Sequence, residues 1–170
     1  NGQECFNNSE HKDAFFKLAP HYAPQRHITT CGVASAVIIL NTIFVTQQKK
    51  RPLCINGSWY VNEQNLLYAN HVWDEDNFFN DNTNGIIDKD IVTGKKKISG
   101  QYIPGLNLLQ LSSTLTAHGL NITIHHVDNV ESSQIDKFRD LIKQITTNVD
   151  FYMIANYELS LLCRGLNQGH

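Results

Sequence analysis

Several features that would assign this chain to a specialised class are scarce in its sequence or missing from it. Its 170 residues include only four cysteines, too few for a small fold held together by disulfides. No apolar run approaches the roughly 20 residues of a transmembrane helix, and the longest, from Val33 to Val45, contains Ser35, Asn41 and Thr42. Neither sign of charge dominates, since 14 Lys and Arg against 16 Asp and Glu give a net charge of −2. This balance gives no electrostatic reason to expect nucleic acid or an acidic membrane as a partner.

The apolar residues that are present suffice for a packed core. They make up 41% of the sequence, and charged residues make up 18%, which is below the roughly 25% usual in soluble domains. Such a chain is too hydrophobic to be disordered. Its length corresponds to one domain of roughly 100–200 residues, so we predict a single domain over residues 1–170.

The two ends of the sequence suggest that it is part of a longer chain. It begins Asn1-Gly2-Gln3 without an initiator Met, as in an exported, periplasmic mature protein or a trimmed chain, so the compartment stays open. It stops at Gly169-His170 with no closing helix or strand. We therefore expect the C-terminal strands of the domain to lie beyond residue 170.

Hydrophobic periodicity predicts helices first and strands later. The run from Cys31 to Phe44 is too long without a turn signal for a strand, and its apolar residues lie on all sides, which predicts a central buried helix. Further helices are predicted at residues 11–18 and 62–70, between Gly105 and Gly119, and from Ser133, with Asp136 completing a capping box, through Ile145. Strands are predicted at residues 120–124 and 151–157, and the polar residues 74–100 are interpreted as a partly ordered surface insertion. Helices and strands that are separated along the chain are typical of an α+β fold.

Cys31 differs from the other cysteines because it lies at the start of the predicted buried helix, directly after Thr30 as the candidate N-cap. Unpaired backbone N–H groups and the helix dipole favour a thiolate there, and the thiolate is the nucleophilic form. Gly32 would let a substrate approach the backbone closely. The alternative is a buried structural cysteine, which is the commoner role of a free thiol. The remaining cysteines, Cys5, Cys54 and Cys163, are better explained as unreactive thiols or a disulfide pair than as metal ligands.

Gln25 lies six residues before Cys31, and its amide could donate a hydrogen bond beside the Cys31 backbone N–H. Two such donors would form an oxyanion hole for a tetrahedral intermediate. A thiol nucleophile also needs a base, and spacing alone does not choose among the eight histidines. Gln followed six residues later by Cys at a helix start is the layout of papain-like thiol enzymes. Their base lies on the strands after the central helix, which favours His170. His125 and His126 lie on a predicted strand, one pointing inward and one outward, and a structural role suits them better.

Taken together with Asn156-Tyr157 and Gly169-His170, these residues make the chain resemble the phytochelatin synthases, particularly their bacterial glutathione-cleaving relatives. The resemblance runs from about residue 15 to the end, in the order of the family. Four stretches carry it, namely Phe16–Asn41 with Gln25 and Cys31-Gly32-Val33-Ala34-Ser35, Asn77-Phe78-Phe79, Gly105–Leu111 followed by Gly119-Leu120 and His126, and Asp150-Phe151 through Asn156-Tyr157 to Gly169-His170.

The resemblance implies a papain-like fold, with the buried helix that carries the nucleophile packed on an antiparallel sheet. It also implies that Cys31 attacks the carbonyl between cysteine and glycine of glutathione, so that glycine leaves and a γ-glutamylcysteinyl thioester remains. Gln25 would stabilise the oxyanion, and His170 would be the base. The residues that this resemblance places at the substrate are Gly32, Asn156 and Tyr157.

The same resemblance implies no required cofactor. Cadmium or zinc would enter as a thiolate complex of glutathione, as part of the substrate, which would make the reaction respond to metal ions. No Cys-x-x-Cys or His-x-x-x-His pair in the sequence supports a zinc site. The resemblance also suggests a homodimer. Hydrolysis is favoured over polymerisation, because the Cys-rich extension of the family is not in this sequence.

Two departures from the family pattern leave alternatives open. The third catalytic residue of the family, an Asp on the strand after the histidine, would fall beyond residue 170. The Arg that usually follows the Asn-Tyr pair is replaced by Leu159, for which Arg164 could substitute. One alternative is therefore cleavage of another small peptide or isopeptide by the same mechanism. The other is a non-catalytic module that binds thiol peptides.

Overall fold

A computed structural model describes residues 2–9, 12–46, 53–55, 58–60, 73–126, 132–148 and 150–156. In these ranges the chain forms α-helices, one 3-10 turn at Ala19–His21 and one antiparallel hairpin, in which Cys54 pairs with Trp59. The helices are α1 (Gly2–Asn8), α2 (Asp13–Leu18), α3 (Cys31–Thr46), α4 (Asp81–Asn84), α5 (Lys89–Val92), α6 (Leu108–Ala117) and α7 (Ser132–Thr147). The strands are β1 (Leu53–Ile55) and β2 (Ser58–Tyr60).

Helix α3 forms the centre of the core and begins at Cys31, as the hydrophobic run predicts. Its buried residues cover more than one side of the helix, which is why the apolar pattern shows no polar face. They are Val33, Ala36, Val37, Ile39, Leu40, Asn41 and Thr42. The prediction of a central buried helix is therefore confirmed.

A buried amide joins α3 to the segment that follows the hairpin. The Asn41 amide nitrogen donates to the Trp73 carbonyl at 2.9 Å, and the Trp73 N–H donates to the Asn41 side-chain oxygen at 2.6 Å. Both residues are buried. Paired in this way, the amide and the peptide satisfy each other inside the core, and they fix the position of residue 73 on α3.

The prediction that residues 74–100 form a partly ordered surface insertion is wrong. Phe78, Ile87 and Val92 are buried in the same cluster as residues of α3 and α6. The polar residues between them build local structure, because Asn80 and Thr83 form a capping box at the start of α4. A few well-placed apolar side chains therefore anchor a segment whose average composition is polar.

Helix α6 confirms the helix predicted between Gly105 and Gly119. Its N-terminus is closed by a capping box, in which the Gln110 N–H donates to the Asn107 side chain at 2.8 Å and the Asn107 N–H donates back at 3.0 Å. Leu111 and Leu115 are buried in the core cluster. Gly119 ends the helix with a φ of +84°, a conformation that suits glycine.

The last described elements differ from the predicted ones. Helix α7 begins at Ser132, so Ser133 lies inside the helix instead of capping it, and none of its described residues is fully buried. The described residues of 120–126 and 150–156 form no paired strand. Phe151 is 57% exposed and Met153 is 38% exposed, so the prediction that residues 151–157 are buried is wrong for the described part of this segment.

The predicted combination of helices and strands is therefore confirmed only in part. The described residues combine helices with one short hairpin, as a mixed fold requires. Alternating half-buried residues in 120–126 and 150–156 keep the predicted period of two, since Leu120, Ile122 and Ile154 pack against the core. The helix predicted at residues 62–70 lies outside the described residues. Among those described, no helix combines the length and apolar character needed to cross a bilayer.

His118 is an imidazole enclosed by aromatic rings at the end of α6. Its ring centroid lies 4.5 Å from that of Trp73 and 4.9 Å from that of Phe78. Its Nε2 lies 3.0 Å from the Phe78 carbonyl, which only accepts, so Nε2 carries the proton. Nδ1 is buried without a hydrogen-bond partner in the described structure. Burial lowers the pKa of His118 to about 4, against a weaker opposing effect of the Phe78 hydrogen bond.

We expect His118 to make the protein less stable as the pH falls from 6.5 to 4. The unfolded chain binds a proton at an ordinary pKa of 6.5, whereas the folded chain binds it only near a pKa of about 4. Stability is therefore complete above pH 6.5 and decreases on acidification, by roughly 3 kcal/mol at pH 4. Urea unfolding at a series of pH values measures this slope.

The matched variant is His118→Phe, which keeps a ring in the same space. It should unfold with a clearly smaller pH dependence between pH 4 and 6.5, even if its stability at pH 7 is lower. Asp76 and Asp88, whose pKa values are lowered by neighbouring lysines, affect stability mainly at pH values below 4. Because both proteins contain them, they contribute equally to the two pH profiles. Equal slopes for the two proteins would show that His118 is not buried as a neutral imidazole.

Candidate active site

Cys31 is the first residue of α3 and is exposed, whereas most of the helix behind it is buried. The alternative of a buried structural cysteine is therefore wrong. The Cys31 carbonyl accepts the Ser35 hydroxyl at 2.9 Å, within the first turn of the helix. The backbone N–H groups of a first helical turn have no partner within the helix. An exposed thiol at this position can therefore meet both solvent and unpaired donors.

Thr30 precedes α3, as expected of an N-cap residue, and its carbonyl accepts the Ala34 N–H at 2.9 Å. Its hydroxyl, however, takes part in the preceding loop. It donates to the His27 carbonyl at 2.8 Å and accepts the His27 N–H at 3.3 Å. Because Thr30 is buried, this exchange closes residues 27–30 into a tight turn that leads directly into Cys31.

Gln25 belongs to the same turn. Its side-chain nitrogen donates to the His27 carbonyl at 3.0 Å, and the Thr30 N–H donates to that carbonyl at 3.1 Å. The His27 carbonyl therefore accepts hydrogen bonds from the residues at both ends of the loop that runs from Gln25 to Thr30. A primary amide has two N–H donors, so one Gln25 donor remains after this bond for a ligand on the exposed side.

Arg26 is held by an acidic turn that the sequence analysis did not identify as part of the site. Its N–H donates to Glu75 Oε1 at 2.7 Å, and its guanidinium pairs with Asp76 and, at 3.8 Å, with Asp74. Lys89 Nζ donates to the other Asp76 oxygen at 2.9 Å. Lys89 first, and Arg26 second, hold the pKa of Asp76 below its usual value. Only the run Asp-Glu-Asp signals this turn in the sequence, and it does not indicate a partner 49 residues away.

The turn before α6 packs against the loop that runs from Gln25 to Thr30. Gly105 has a φ of +93°, and a Cβ built on it would lie 3.3 Å from the Thr29 carbonyl oxygen. Its N–H donates to the Val92 carbonyl at 2.9 Å, which ties this turn to α5. A Cβ built on Gly32 would lie 3.7 Å from that of Leu106. Protein therefore fills this side of Gly32, and substrate contact at Gly32 stays a prediction.

The described histidines of the second half of the chain lie in different environments. His118 is half-buried against aromatic rings, whereas both His125 and His126 are exposed, so the prediction that one of this pair points inward is wrong. They line a cleft of about 520 Å³ together with one face of α7, formed by Gln134, Lys137, Phe138, Asp140, Leu141 and Gln144. His170 and Tyr157 lie outside the described residues, and Asn156 is exposed at the edge of them. The roles predicted for these three residues therefore stay predictions.

Metal ligation has little support in the part of the chain that is described. There, no group of three or more His, Cys, Asp or Glu side chains is arranged to hold a metal ion. The predictions for Cys5, Cys54 and Cys163 concern side chains outside the described structure. An exposed thiol at the start of a helix is an arrangement that suits covalent acyl chemistry.

We expect Gly105→Ala to destabilise the protein more than Gly100→Ala. Both glycines have positive φ, at +93° and +82°, but only Gly105 has a backbone atom within reach of a new Cβ. Both variants lose about 1 kcal/mol through the strained backbone, and Gly105→Ala loses more because it pushes on Thr29. Urea unfolding measures the difference, and the rate of Cys31 alkylation reports a displaced loop. Equal losses in the two variants would show that the contact with Thr29 is unimportant.

Comparison with known proteins places the chain in a family. A family model described as phytochelatin synthase matches residues 1–170, the whole chain. No curated protein and no solved structure matches it. Phytochelatin synthases are enzymes that transfer γ-glutamylcysteine and use glutathione as their substrate. The chain therefore belongs to the phytochelatin synthase family.

Proposed function

We propose that the protein cleaves the Cys–Gly bond of glutathione and holds γ-glutamylcysteine as a thioester on Cys31. The observation that carries the proposal is the exposed thiol at the first residue of an otherwise buried helix. A family match over the whole chain supplies the substrate class.

The first half of the reaction forms the thioester. The Cys31 sulfur attacks the carbonyl carbon of the cysteinyl residue, and the electron pair of the carbonyl moves onto its oxygen. The Gln25 amide and the Cys31 backbone N–H donate hydrogen bonds to this oxyanion, which is the charge that a rigid site stabilises best. As the C–N bond breaks, the amine of glycine takes the proton that His170 had removed from the thiol.

The second half returns the enzyme to its starting state. Water, or the amino group of a second glutathione, attacks the thioester carbonyl and releases the Cys31 thiolate. Attack by water gives γ-glutamylcysteine, and attack by glutathione gives a phytochelatin. Cadmium or zinc enters this scheme only as the metal in a glutathione thiolate complex, and therefore as substrate.

The rigid mounting of Cys31 supports a nucleophile that is preorganised. Helix α3 is fixed by the core cluster and by the paired Asn41 and Trp73 groups. Reactive groups mounted on packed elements keep their geometry better than groups on free loops. The nucleophile is therefore the fixed point of the site, and the loop from Gln25 to Thr30 is the part that must be held against it.

The proposed fold is papain-like, with α3 packed against an antiparallel sheet. Residues 120–126 and 150–156 are candidates for its strands, because Leu120, Ile122 and Ile154 pack against the core while the intervening residues are exposed. In sequence, the segment 150–156 precedes His170, as a strand precedes the base in the proposed fold.

The full-length protein should release free glycine from glutathione, and Cys31→Ser should lower this rate by at least about a thousandfold. The reason is that a serine hydroxyl is a far weaker nucleophile than a thiolate at neutral pH. Free glycine is measured by amino-acid analysis, and the thioester is detected as an added mass on the intact protein.

Cys54→Ser is the matched control, because it also removes one thiol and should keep the activity. The α-linked peptide Glu-Cys-Gly tests the substrate class, and it should be turned over much more slowly than glutathione. Glycine release by Cys31→Ser at the wild-type rate would contradict the nucleophile. Equal rates with the two peptides would favour a general small peptidase over an enzyme specific for glutathione.

Gln25→Ala should lower kcat by roughly a hundredfold to a thousandfold, the usual cost of losing one oxyanion donor. The rate at which iodoacetamide alkylates Cys31 should change little, because the thiol is held by α3 and not by Gln25. Gln134→Ala, on α7, is the matched amide control and should behave like the wild type. Turnover within about threefold of the wild type in Gln25→Ala would remove Gln25 from the oxyanion hole.

A further inference from the structure

Glu75 is a buried carboxylate with only one of its oxygens engaged. The residue is 7% exposed, and its Oε1 accepts the Arg26 N–H at 2.7 Å. Its Oε2 is buried and has no hydrogen-bond partner in the described structure. A buried polar atom without a partner is unfavourable by about 1–3 kcal/mol, so stability alone does not account for a charged residue at this position.

Glu75 is fixed to the same helix that carries Cys31. Residue 73 is bound to Asn41 of α3 by the two reciprocal hydrogen bonds described above. The turn that follows is closed by the Asp74 carboxylate, which accepts the N–H groups of Asp76 and Asn77 at 2.9 Å. A short and fully bonded path therefore leads from α3 to Glu75, and the Glu75 carboxylate cannot move far relative to the helix.

The opposite end of the path is the residue next to Gln25. Glu75 holds the backbone of Arg26, and Asp76 pairs with its guanidinium, so the main chain and the side chain of Arg26 are both anchored. The peptide that joins Gln25 to Arg26 contains the N–H that Glu75 accepts. Any displacement of this N–H moves Gln25 with it, whereas Cys31 stays in place on α3.

We propose that Glu75 is a positioning residue, which acts through the Arg26 N–H to hold the Gln25 amide in register with Cys31. The inference rests on the proposed function, in which Gln25 donates to the oxyanion. It adds a residue that touches neither the substrate nor the reacting atoms. The site requires the length of the Glu75 side chain and its acceptor oxygen.

The negative charge of Glu75 does not serve the oxyanion. A carboxylate near a developing negative charge raises the energy of that charge. Arg26 and Lys89 both pair with Asp76 and offset the three acidic residues 74–76 only in part. A variant of Glu75 that loses the charge but keeps the acceptor oxygen should therefore keep its turnover. A variant that keeps the charge but has a shorter side chain should lose turnover.

A pair of variants separates these two properties. Glu75→Gln keeps the length and an acceptor oxygen without the charge, and its kcat should stay within about threefold of the wild type. Glu75→Asp keeps the charge but is one methylene shorter, and its kcat should fall by roughly tenfold to a hundredfold, since small displacements of a catalytic group have effects of that size. KM should change by less than about threefold in both, because Glu75 does not contact the substrate. Asp136→Asn, which removes an exposed carboxylate paired with Arg139, is the control and should match the wild type.

A double variant tests whether Glu75 acts through Gln25. If it does, Gln25→Ala with Glu75→Asp should be no slower than Gln25→Ala alone, because the group to be positioned is already gone. Losses that multiply would show that Glu75 acts by another route and would overturn the proposal. Wild-type kcat in Glu75→Asp, or loss of kcat in Glu75→Gln equal to that in Glu75→Asp, would overturn it as well.

Trypsin cleavage after Arg26 tests the tether, which is the hydrogen bond from the Arg26 N–H to Glu75, without any measurement of turnover. Cleavage at the Arg26–His27 bond, followed by mass spectrometry, should be about tenfold faster in Glu75→Asp than in the wild type and unchanged in Glu75→Gln. If the wild type fails to release glycine while this pattern holds, the proposed function fails and the tether stands. If Glu75→Asp does not fold by circular dichroism, Glu75→Met replaces it, and an unchanged cleavage rate in that variant overturns the tether.

Discussion

The reciprocal hydrogen bonds between Asn41 and Trp73 are the contact on which the described structure most depends. They pair a buried amide with a buried peptide, so that neither polar group is left without a hydrogen-bond partner in an apolar core. Through them, the helix that carries Cys31 and the turn that contains Glu75 become one rigid unit. The core cluster around Phe78, Val92 and Leu115 then closes over this unit.

The site uses that rigid unit as a frame. Cys31 lies at its surface, at the start of α3, and is exposed to solvent. The loop before it is held from two sides, by Glu75 at Arg26 and by Gly105 at Thr29. If Cys31 is the nucleophile and Gln25 the oxyanion donor, as proposed, a packed helix and an anchored loop would hold the two groups at the constant separation that acyl transfer requires.

Local patterns predicted the elements whose physical cause is local. The unbroken apolar run after Cys31 predicts a buried helix, and Gly105 and Gly119 bracket α6, because chain length, turn residues and periodicity act within a few residues. The polar average composition of residues 74–100 does not predict their structure, because that structure depends on where Phe78, Ile87 and Val92 join the core cluster. The unpaired segments 120–126 and 150–156 have strand periodicity, yet a strand also needs a neighbour, which no local pattern supplies.

The sequence by itself determined the family and the position of the thiol at a helix start. These follow from the order of residues along the chain. Only the tertiary structure decided that Cys31 is exposed, that His118 is half-buried among aromatic rings, and that Glu75 holds Arg26. Exposure and long-range pairing depend on which distant segments pack together, and that is a property of the whole core and not of any one segment.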